Sequence, residues 1–201
     1  MLSEASHGNL QAYIDTHNVA IDTLQRWKWA VQAAEAVTYL HEQGVIHSDL
    51  RPENYLVHAT VVPGVDLSPS LDLWLCDFGG SACEELGLPG RQLPDDPFFD
   101  PRMPWVSTPA TDIFSLGSIT YTILTGHWPY REGPPPVTLE DRNAYQKKVI
   151  ELFEAGNFPS VSKLSGGDVI KGCWHHKYKT AKDVLEALRS EMVALSMKQI
   201  D

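Results

Sequence analysis

Apolar residues recur at three- and four-residue steps in three stretches of the chain, and this period predicts helices. The first helix is expected from about Val19 to just before Gly44, because glycine is favoured immediately beyond a helix end. The others are predicted over 139–155 and from 180 to about 198, and a short helix over 10–16. The apolar residues that define these faces are Leu24, Trp27, Val31, Ala34, Val37 and Leu40, then Tyr145, Val149 and Phe153, then Val184, Leu185, Leu188, Met192 and Leu195.

The most apolar part of the chain is the stretch 113–124, which is interrupted by Ser115, Gly117 and Ser118. A helix needs about 20 apolar residues to cross a bilayer, so this stretch is too short. We therefore predict a helix that is buried in the core of a soluble protein.

A β-hairpin is predicted in the first half of the chain. The residues Tyr55-Leu56-Val57 have the composition of a short strand, and leucines alternate with other residues over 71–76. The connection over 58–70 is long for a hairpin and rich in proline, glycine and serine. A surface insertion and a functional lid are both open, and we favour the insertion.

Composition narrows the classes of function. The 201 residues, 43% of them hydrophobic, suffice for one domain or slightly more. The net charge of −10 argues against nucleic acid or an anionic membrane surface as the main partner. The three cysteines are widely spaced and the N-terminus lacks the pattern of a secretory signal. We expect a reducing intracellular location, in the cytoplasm or nucleus.

A polar segment with the sequence His-Ser-Asp-Leu-Arg-Pro-Glu-Asn, at 47–54, separates the long helix from the hairpin. Pro52 disfavours a helix at Arg51, so the segment is predicted to form a shaped loop. A carboxylate held in such a loop, Asp49, is suited to act as a general base. The amide oxygen of Asn54 is suited to a divalent metal. Taken alone, the segment is equally compatible with an ordinary polar turn.

The second predicted strand ends in Asp77-Phe78-Gly79-Gly80. The two glycines allow backbone angles that are closed to other residues, which suits a sharp change of direction after a strand. Across the hairpin, the carboxylate of Asp77 can meet the amide of Asn54 at a shared metal ion.

These two motifs, His-x-Asp-Leu-x-x-x-Asn and then Asp-Phe-Gly, resemble the catalytic loop and the metal-binding motif of eukaryotic protein kinases. The segment 111–117 is similar to the start of the central buried helix of that family, and Cys173-Trp174 to its late helices. The resemblance covers nearly the whole chain in the order of the family. It implies a mainly α fold, a protein-kinase-like C-lobe with a small β-hairpin at the catalytic and metal-binding loops.

The resemblance also implies a role for each matching residue. Asp49 would accept the proton of the substrate hydroxyl, and Asn54 and Asp77 would hold Mg²⁺ against the phosphates of ATP. Arg51 stands where Ser/Thr members have a lysine that neutralises the γ-phosphate, and an arginine preserves that charge. Asp112 would accept hydrogen bonds from the backbone of the catalytic loop.

The nucleotide site is only partly represented in the sequence. Leu56 matches the apolar residue beneath the adenine ring, and the hinge-like residues 1–7 place Glu4 and Ala5 at the nucleotide, with 8–198 as the C-lobe. No glycine-rich loop and no Val-Ala-Ile-Lys-like strand occurs in the 201 residues. The resemblance therefore implies a kinase domain without the N-lobe over 1–198, and we expect weak or no activity from the polypeptide alone.

One departure from the family bears on regulation. Ser48 replaces the arginine that pairs with a phosphate on the activation loop, and Ser81 is the only hydroxyl residue over 79–100. We predict that phosphorylation of this loop does not switch the protein.

A second departure bears on substrate positioning. Where the family has Ala-Pro-Glu, this chain has Asp100-Pro101-Arg102, and the usual arginine partner of the glutamate corresponds to Lys179. Two cations cannot form a buried ion pair. Either Asp100 supplies the acid or the correspondence with the family slips here.

Three functions are open. The main prediction is a protein kinase that uses ATP and Mg²⁺ to phosphorylate protein hydroxyls, Ser or Thr in preference to Tyr because of the Pro-Glu pair in the loop. The second is a pseudokinase-like binding or scaffold module, and the third is a small-molecule phosphotransferase. The complete Asp-Phe-Gly motif argues against the third. The joint presence of Asp49, Asn54 and Asp77 argues against the second, since only the chemistry requires all three.

Overall fold

The computed structural model describes residues 5–60, 70–90, 92–131, 133, 136 and 138–198. Within these ranges helices outweigh strands, so the predicted fold class, mainly α with a small β-hairpin, is confirmed. In chain order the elements are α1 (Leu10–His17), α2 (Thr23–Glu42), β1 (Val45–Ile46), β2 (Tyr55–Thr60), β3 (Ser70–Leu75), β4 (Ala82–Cys83), β5 (Leu88–Pro89), α3 (Pro109–Thr125), α4 (Leu139–Glu154), α5 (Gly167–Trp174) and α6 (Ala181–Lys198).

Helix α3 is the centre of the fold. Every residue over 111–123 is buried, and apolar side chains of α2, α5 and α6 pack around it. A capping box fixes its start, with the hydroxyl of Thr108 accepting from the backbone N–H of Thr111 at 3.2 Å. Gly117 allows α5 to approach closely, since a Cβ there would lie 2.6 Å from the Cβ of Cys173. The predicted buried helix is therefore present.

The apolar stretch of α3 is buried in the core of the protein. Among the helices of the described ranges, none combines the length and the hydropathy that a membrane crossing requires. The small polar residues within the stretch find partners in the core, as Ser115 and Ser118 donate to backbone oxygens of a neighbouring segment.

Helix α2 begins later than its hydrophobic pattern predicts. Asn18–Ala20 form a 3₁₀ turn and Val19 is fully exposed, so the expected start at Val19 is wrong. The carboxylate of Asp22 accepts a hydrogen bond from the backbone N–H of Gln25 at 2.8 Å and caps the helix. A cap of this kind sets where a helix starts more strongly than an apolar side chain does.

The buried face of α2 also differs from the predicted one at its first turn. Leu24 is 50% exposed, whereas Trp29 is completely buried. The indole Nε1 of Trp29 donates to the backbone oxygen of Leu71 at 3.1 Å and so ties α2 to the hairpin. The polar tip of a tryptophan is satisfied in this way, while its ring fills the core.

The predicted hairpin is present as β2 and β3, which pair antiparallel with Tyr55 opposite Leu75 and Thr60 opposite Ser70. Tyr55 and Val57 face the core along β2, as the alternation of a half-buried strand requires. The prediction of an insertion or a lid concerns the hairpin tip, and residues 61–69 of that tip lie outside the described residues.

A second small sheet was not predicted from the sequence. Strands β1, β4 and β5 form it in that order with antiparallel pairing, and each is two residues long, too short for a periodic signal. Val45 lies opposite Cys83 and Ile46 opposite Ala82. The sheet therefore ties the start of the loop over 47–54 to the segment that follows Asp77.

Candidate active site

The loop over 47–54 is held by one buried carboxylate of α3. Asp112 accepts hydrogen bonds from the backbone N–H of His47 at 2.8 Å and of Ser48 at 3.0 Å. Ser48 has a φ of +74°, a conformation that costs energy in a residue other than glycine, and the bond to Asp112 helps to hold it there. The predicted bonds between Asp112 and the loop backbone are therefore present.

His41 is a further partner of Asp112 that sequence reasoning missed. Its Nε2 lies 2.9 Å from Oδ2 of Asp112, and because a carboxylate only accepts, that nitrogen carries a hydrogen. His41 lies one turn after the buried Val37 on α2, so the helical period did place it on the inner face. A polar residue at a core-facing position was the available signal.

Asp49 lies in the loop with its carboxylate only partly satisfied. The Nδ2 of Asn54 donates to the backbone oxygen of Asp49 at 2.8 Å and to its Oδ2 at 3.3 Å. The Nε2 of Gln92 lies 3.4 Å from the same Oδ2. Within the described ranges, Oδ1 of Asp49 is buried and has no hydrogen-bond partner. Among the described residues, this carboxylate thus has one oxygen that can still accept a hydrogen bond.

The surroundings of Asp49 alter its protonation. Burial raises the pKa of its carboxyl above the ordinary value, and the negative charge of Asp77 adds to that effect. Arg51, Asn54 and His47 act in the opposite direction without cancelling it. A carboxylate with a raised pKa and an unpartnered oxygen is suited to accept a proton.

Asn54 and Asp77 are brought together by the backbone after β3. The N–H of Cys76 donates to the backbone oxygen of Asn54 at 2.9 Å, and the next residue, Asp77, is exposed with a φ of +61°. Because the Nδ2 of Asn54 is committed to Asp49, its amide oxygen is left to accept. An amide oxygen and a carboxylate are oxygen ligands of the kind that Mg²⁺ binds, so the chemistry of these two residues fits the metal.

His47 fixes the spatial relation between the catalytic loop and the Asp-Phe-Gly motif. Its Nε2 donates to the backbone oxygen of Cys76 at 2.9 Å, and its ring meets that of Phe78 edge to face at 5.2 Å. A carbonyl oxygen only accepts, so Nε2 carries the hydrogen. The histidine of the motif thus acts as a structural link between the two loops.

Arg51 is surrounded by carboxylates. Its Nε lies 3.1 Å from Oε2 of Glu53, and its Nη1 lies 3.6 Å from Oδ2 of Asp95. Burial by itself lowers the pKa of Arg51, but the bonds and charges of Glu53, Asp49 and Asp95 outweigh it, and the pKa is raised. The guanidinium is therefore charged and held near Asp49, and its role toward a phosphate stays a prediction.

A cavity of about 240 Å³ opens beside Arg51. Burial raises the pKa of Asp96, one of its lining residues, to about 6, and the charge of Asp95 adds to the rise. Sequence reasoning did not single out this cavity, since its walls come from four separate parts of the chain. They include Glu53, Asp95, Asp96, Trp128, Arg142 and Tyr145.

The residues predicted to contact the nucleotide are partly described. The segment 5–9 runs antiparallel beside β2, and Val57 exchanges backbone hydrogen bonds of 3.1 and 2.8 Å with it. This places the half-buried Ala5 at the hairpin that carries Leu56, which lies opposite Trp74. Glu4 lies outside the described residues.

Contacts with the catalytic loop also hold the segment that follows Asp77. The hydroxyl of Ser81 donates to the backbone oxygen of His47 at 3.1 Å, and β4 pairs with β1 directly afterwards. Gln92 reaches Asp49 from the other end of the segment. Neither Ser81 nor Gln92 was predicted to make such a contact, because nothing in their spacing indicates it.

The structure decides between the two interpretations of Asp100-Pro101-Arg102. Asp100 is the acid: it is buried, it accepts from Nε and Nη2 of Arg102 at 2.8 Å each, and from Nε2 of His176 at 2.8 Å. Although burial opposes it, these bonds hold the pKa of Asp100 well below its usual range. The backbone N–H of Lys179 donates to Asp183, and no contact between Lys179 and Asp100 is found among the described residues. The expectation that Lys179 supplies the cation was therefore wrong, because Arg102 and His176 donate to Asp100 instead.

Comparison with known proteins agrees with this geometry. The family described as the protein kinase domain matches residues 1–192. The chain is 27% identical over 199 residues to the probable serine/threonine-protein kinase gdt4 of Dictyostelium discoideum, covering 90% of this chain and 11% of that protein. It is 25% identical over 176 residues to the probable serine/threonine-protein kinase iksA of the same organism, covering 75% of this chain and 18% of that one.

A third relative is the human calcium/calmodulin-dependent protein kinase type IV, 36% identical over 107 residues, with 49% of this chain and 20% of that protein covered. The chain thus spans less than a quarter of the length of each of these three relatives. The family match itself extends over nearly all of the chain. The sequence motifs, the helical fold and this match agree, and the chain belongs to the protein kinase family.

Proposed function

We propose that this chain carries the catalytic residues for transfer of the γ-phosphoryl group of ATP to a serine or threonine hydroxyl of a protein. The observation that carries the proposal is the bonding of Asn54 to Asp49, at 2.8 and 3.3 Å, together with the bond from the N–H of Cys76, the residue before Asp77, to the backbone oxygen of Asn54. It brings a base with a free oxygen and two hard oxygen ligands into one place. A lobe kept only for binding has no need of all three.

Each side chain has a distinct part in this chemistry. The unpartnered Oδ1 of Asp49 accepts the proton of the attacking hydroxyl, and its raised pKa supports that role. Asn54 orients Asp49 through Nδ2. Arg51, which is bonded to Glu53 and interacts electrostatically with Asp49, would add positive charge where the phosphoryl group is transferred.

Mg²⁺ would be held by the amide oxygen of Asn54 and the carboxylate of Asp77. The metal supplies charge neutralisation for the phosphates. Leu56 and Ala5 offer one wall for the adenine ring. Since the 201 residues contain no glycine-rich loop, we expect a polypeptide of this sequence to bind the nucleotide weakly and to transfer phosphate slowly.

Serine or threonine is the preferred acceptor for two reasons. The loop contains the Pro-Glu pair, at Pro52 and Glu53, that the resemblance associates with Ser/Thr members. Two relatives that match most of this chain are named as probable serine/threonine-protein kinases.

The direct test is ATP binding, measured by calorimetry with and without Mg²⁺. We expect binding that Mg²⁺ strengthens, with the metal-dependent part lost in Asp77→Ala. Asp168→Ala is the matched control, because Asp168 is exposed on α5 and far from the loop in sequence. Binding that is absent, or that ignores Mg²⁺ in the unaltered chain, would contradict the proposal and favour a scaffold module.

A further inference from the structure

The carboxylate of Asp100 accepts four hydrogen bonds from described residues. It is 1% exposed and accepts from the backbone N–H of Arg102 at 3.0 Å, from that side chain, and from His176. Arg102 lies two residues further along the same segment and also donates to the backbone oxygen of Trp174 at 3.1 Å. Within the described ranges, His176 is the one donor to Asp100 that lies outside the segment containing Asp100 and Arg102.

The backbone of His176 adopts a conformation that glycine most often occupies. The residue follows α5 with a φ of +53°, and the helix end is closed by bonds from His176 N to Cys173 O at 3.1 Å and from Lys177 N to Gly172 O at 2.9 Å. This is the left-handed helix end at which glycine is preferred. A histidine there carries a backbone cost that its imidazole must offset.

The segment 95–100 extends from Asp100 to the active site. Its middle is fastened to α3, since the hydroxyl of Ser118 donates to the oxygen of Pro97 at 2.7 Å and that of Ser115 to the oxygen of Phe98 at 2.6 Å. Its first residue, Asp95, lies 3.6 Å from Nη1 of Arg51. One end of the segment is thus bonded to His176, and the other end contacts the catalytic loop.

We propose that His176 is a positioning residue for phosphoryl transfer, which through Asp100 fixes the segment 95–100 where the acceptor protein binds. The inference rests on the proposed function. The acceptor side is the cavity of about 240 Å³ that Asp95 and Asp96 line beside Arg51. Ser48 stands where an arginine would bind an activation-loop phosphate. In its absence, the bond between His176 and Asp100 orders the segment 95–100.

The alternative is that His176 does no more than end α5. The two interpretations differ for His176→Gly, because glycine is the better residue for that backbone and lacks the imidazole. If His176 only ends the helix, His176→Gly leaves the segment and the enzyme unchanged and keeps or raises the melting temperature. Lys179→Ala is the matched control, since Lys179 is the cation that the family pattern designates.

The first measurement is hydrogen exchange at the amides of Phe98, Arg102 and Met103, whose hydrogen-bond acceptors, Asp95 and Asp100, are the two ends of the segment. We expect exchange about tenfold faster in His176→Gly, with amides of α2 unaffected and the melting temperature maintained. Unchanged exchange, or equal acceleration in Lys179→Ala, would overturn the inference.

The second measurement is phosphorylation of dephosphorylated casein. We expect His176→Gly to raise the KM for casein about tenfold, while the KM for ATP stays unchanged, because the metal ligands lie outside the segment. Added imidazole should restore both the KM and the slow exchange, since the side chain of His176 is 37% exposed and its site is accessible. A lack of rescue would overturn the inference.

Failure of the proposed function is distinguishable from failure of this inference. If the unaltered chain neither binds Mg·ATP nor phosphorylates casein, the proposed function is contradicted. Hydrogen exchange and its rescue by imidazole need no turnover, and they then decide whether His176 orders the segment.

Discussion

The Nδ2 of Asn54 lies 2.8 Å from the backbone oxygen of Asp49 and 3.3 Å from its carboxylate, while the Asn54 amide oxygen stays available. In the proposed mechanism a single amide orients the base with one end and would hold the metal with the other. This double use explains why neither carboxylate nor lysine chemistry would serve at position 54.

Asn54→Ala removes both uses at once. We expect the free energy of unfolding to fall by about 1–2 kcal/mol, because a buried donor that satisfies Asp49 is lost. We also expect the Mg²⁺-dependent part of ATP binding to disappear. Urea denaturation and calorimetry measure the two effects. A variant that retains the Mg²⁺ dependence would show that Asn54 is not a ligand.

Asp112→Asn replaces the acceptor of three hydrogen bonds with an amide that has one acceptor and two donors. We expect the free energy of unfolding to fall by about 2–4 kcal/mol, since the amide nitrogen then faces the N–H group of either His47 or Ser48, which loses its acceptor. Chemical denaturation measures it, and Asp168→Asn on the exposed side of α5 is the control. A loss equal to that of the control would contradict the structural role of Asp112.

The elements that the sequence predicted well are those with a strong period or a strong breaker. The burial of α3, the faces of α4 and α6, and the β2–β3 pairing all follow from apolar spacing over many residues. The start of α2 was misplaced because the carboxylate of Asp22, and not an apolar residue, caps it. Strands of two residues, as in β1, β4 and β5, carry no periodic signal.

The residues of the candidate site likewise differ in whether a local sequence pattern could identify them. Asp49, Asn54, Asp77 and Asp112 could be identified because they stand in two short motifs and one helix start. His176, in contrast, meets Asp100 across 76 residues of sequence, and no spacing indicates that contact. Such a bond depends on how α5 packs on α3, which a local pattern does not specify.

Phosphorylation of the segment over 79–100 should not control this protein. Ser81, the only hydroxyl residue there, already donates to the backbone of His47, and Ser48 offers no cation to a phosphate. We expect intact-mass and peptide mass spectrometry of the purified chain to find no phosphate at Ser81, and Ser81→Ala to retain Mg·ATP binding. A stoichiometric phosphate at Ser81 that raises activity would contradict the account.

Asp96→Asn should stabilise the protein in a pH-dependent way. Burial raises the pKa of Asp96 from 3.8 to about 6, so the folded protein holds this proton more tightly than the unfolded chain. Stability contributed by the protonated form is complete below pH ~4 and is lost as the pH rises through about 6.

The variant remains uncharged at every pH and escapes that loss. Allowing for partial exposure of Asp96, we expect Asp96→Asn to gain about 1–2 kcal/mol at pH ~7.5 and nothing at pH ~3.5. Denaturation curves at the two pH values measure the difference. An equal effect at both would show that burial of the charge is not its cause.

The central claim is that Asn54 and Asp77 hold the metal of Mg·ATP beside Asp49. Mn²⁺ accepts the same oxygen ligands and broadens nuclear resonances near it, so NMR spectra with Mn²⁺ and ATP test the claim most directly. We predict selective broadening of the Asn54 and Asp77 signals, none on α6, and its loss in Asp77→Ala. Broadening that is absent from these residues, or that persists unchanged in Asp77→Ala, would contradict the account.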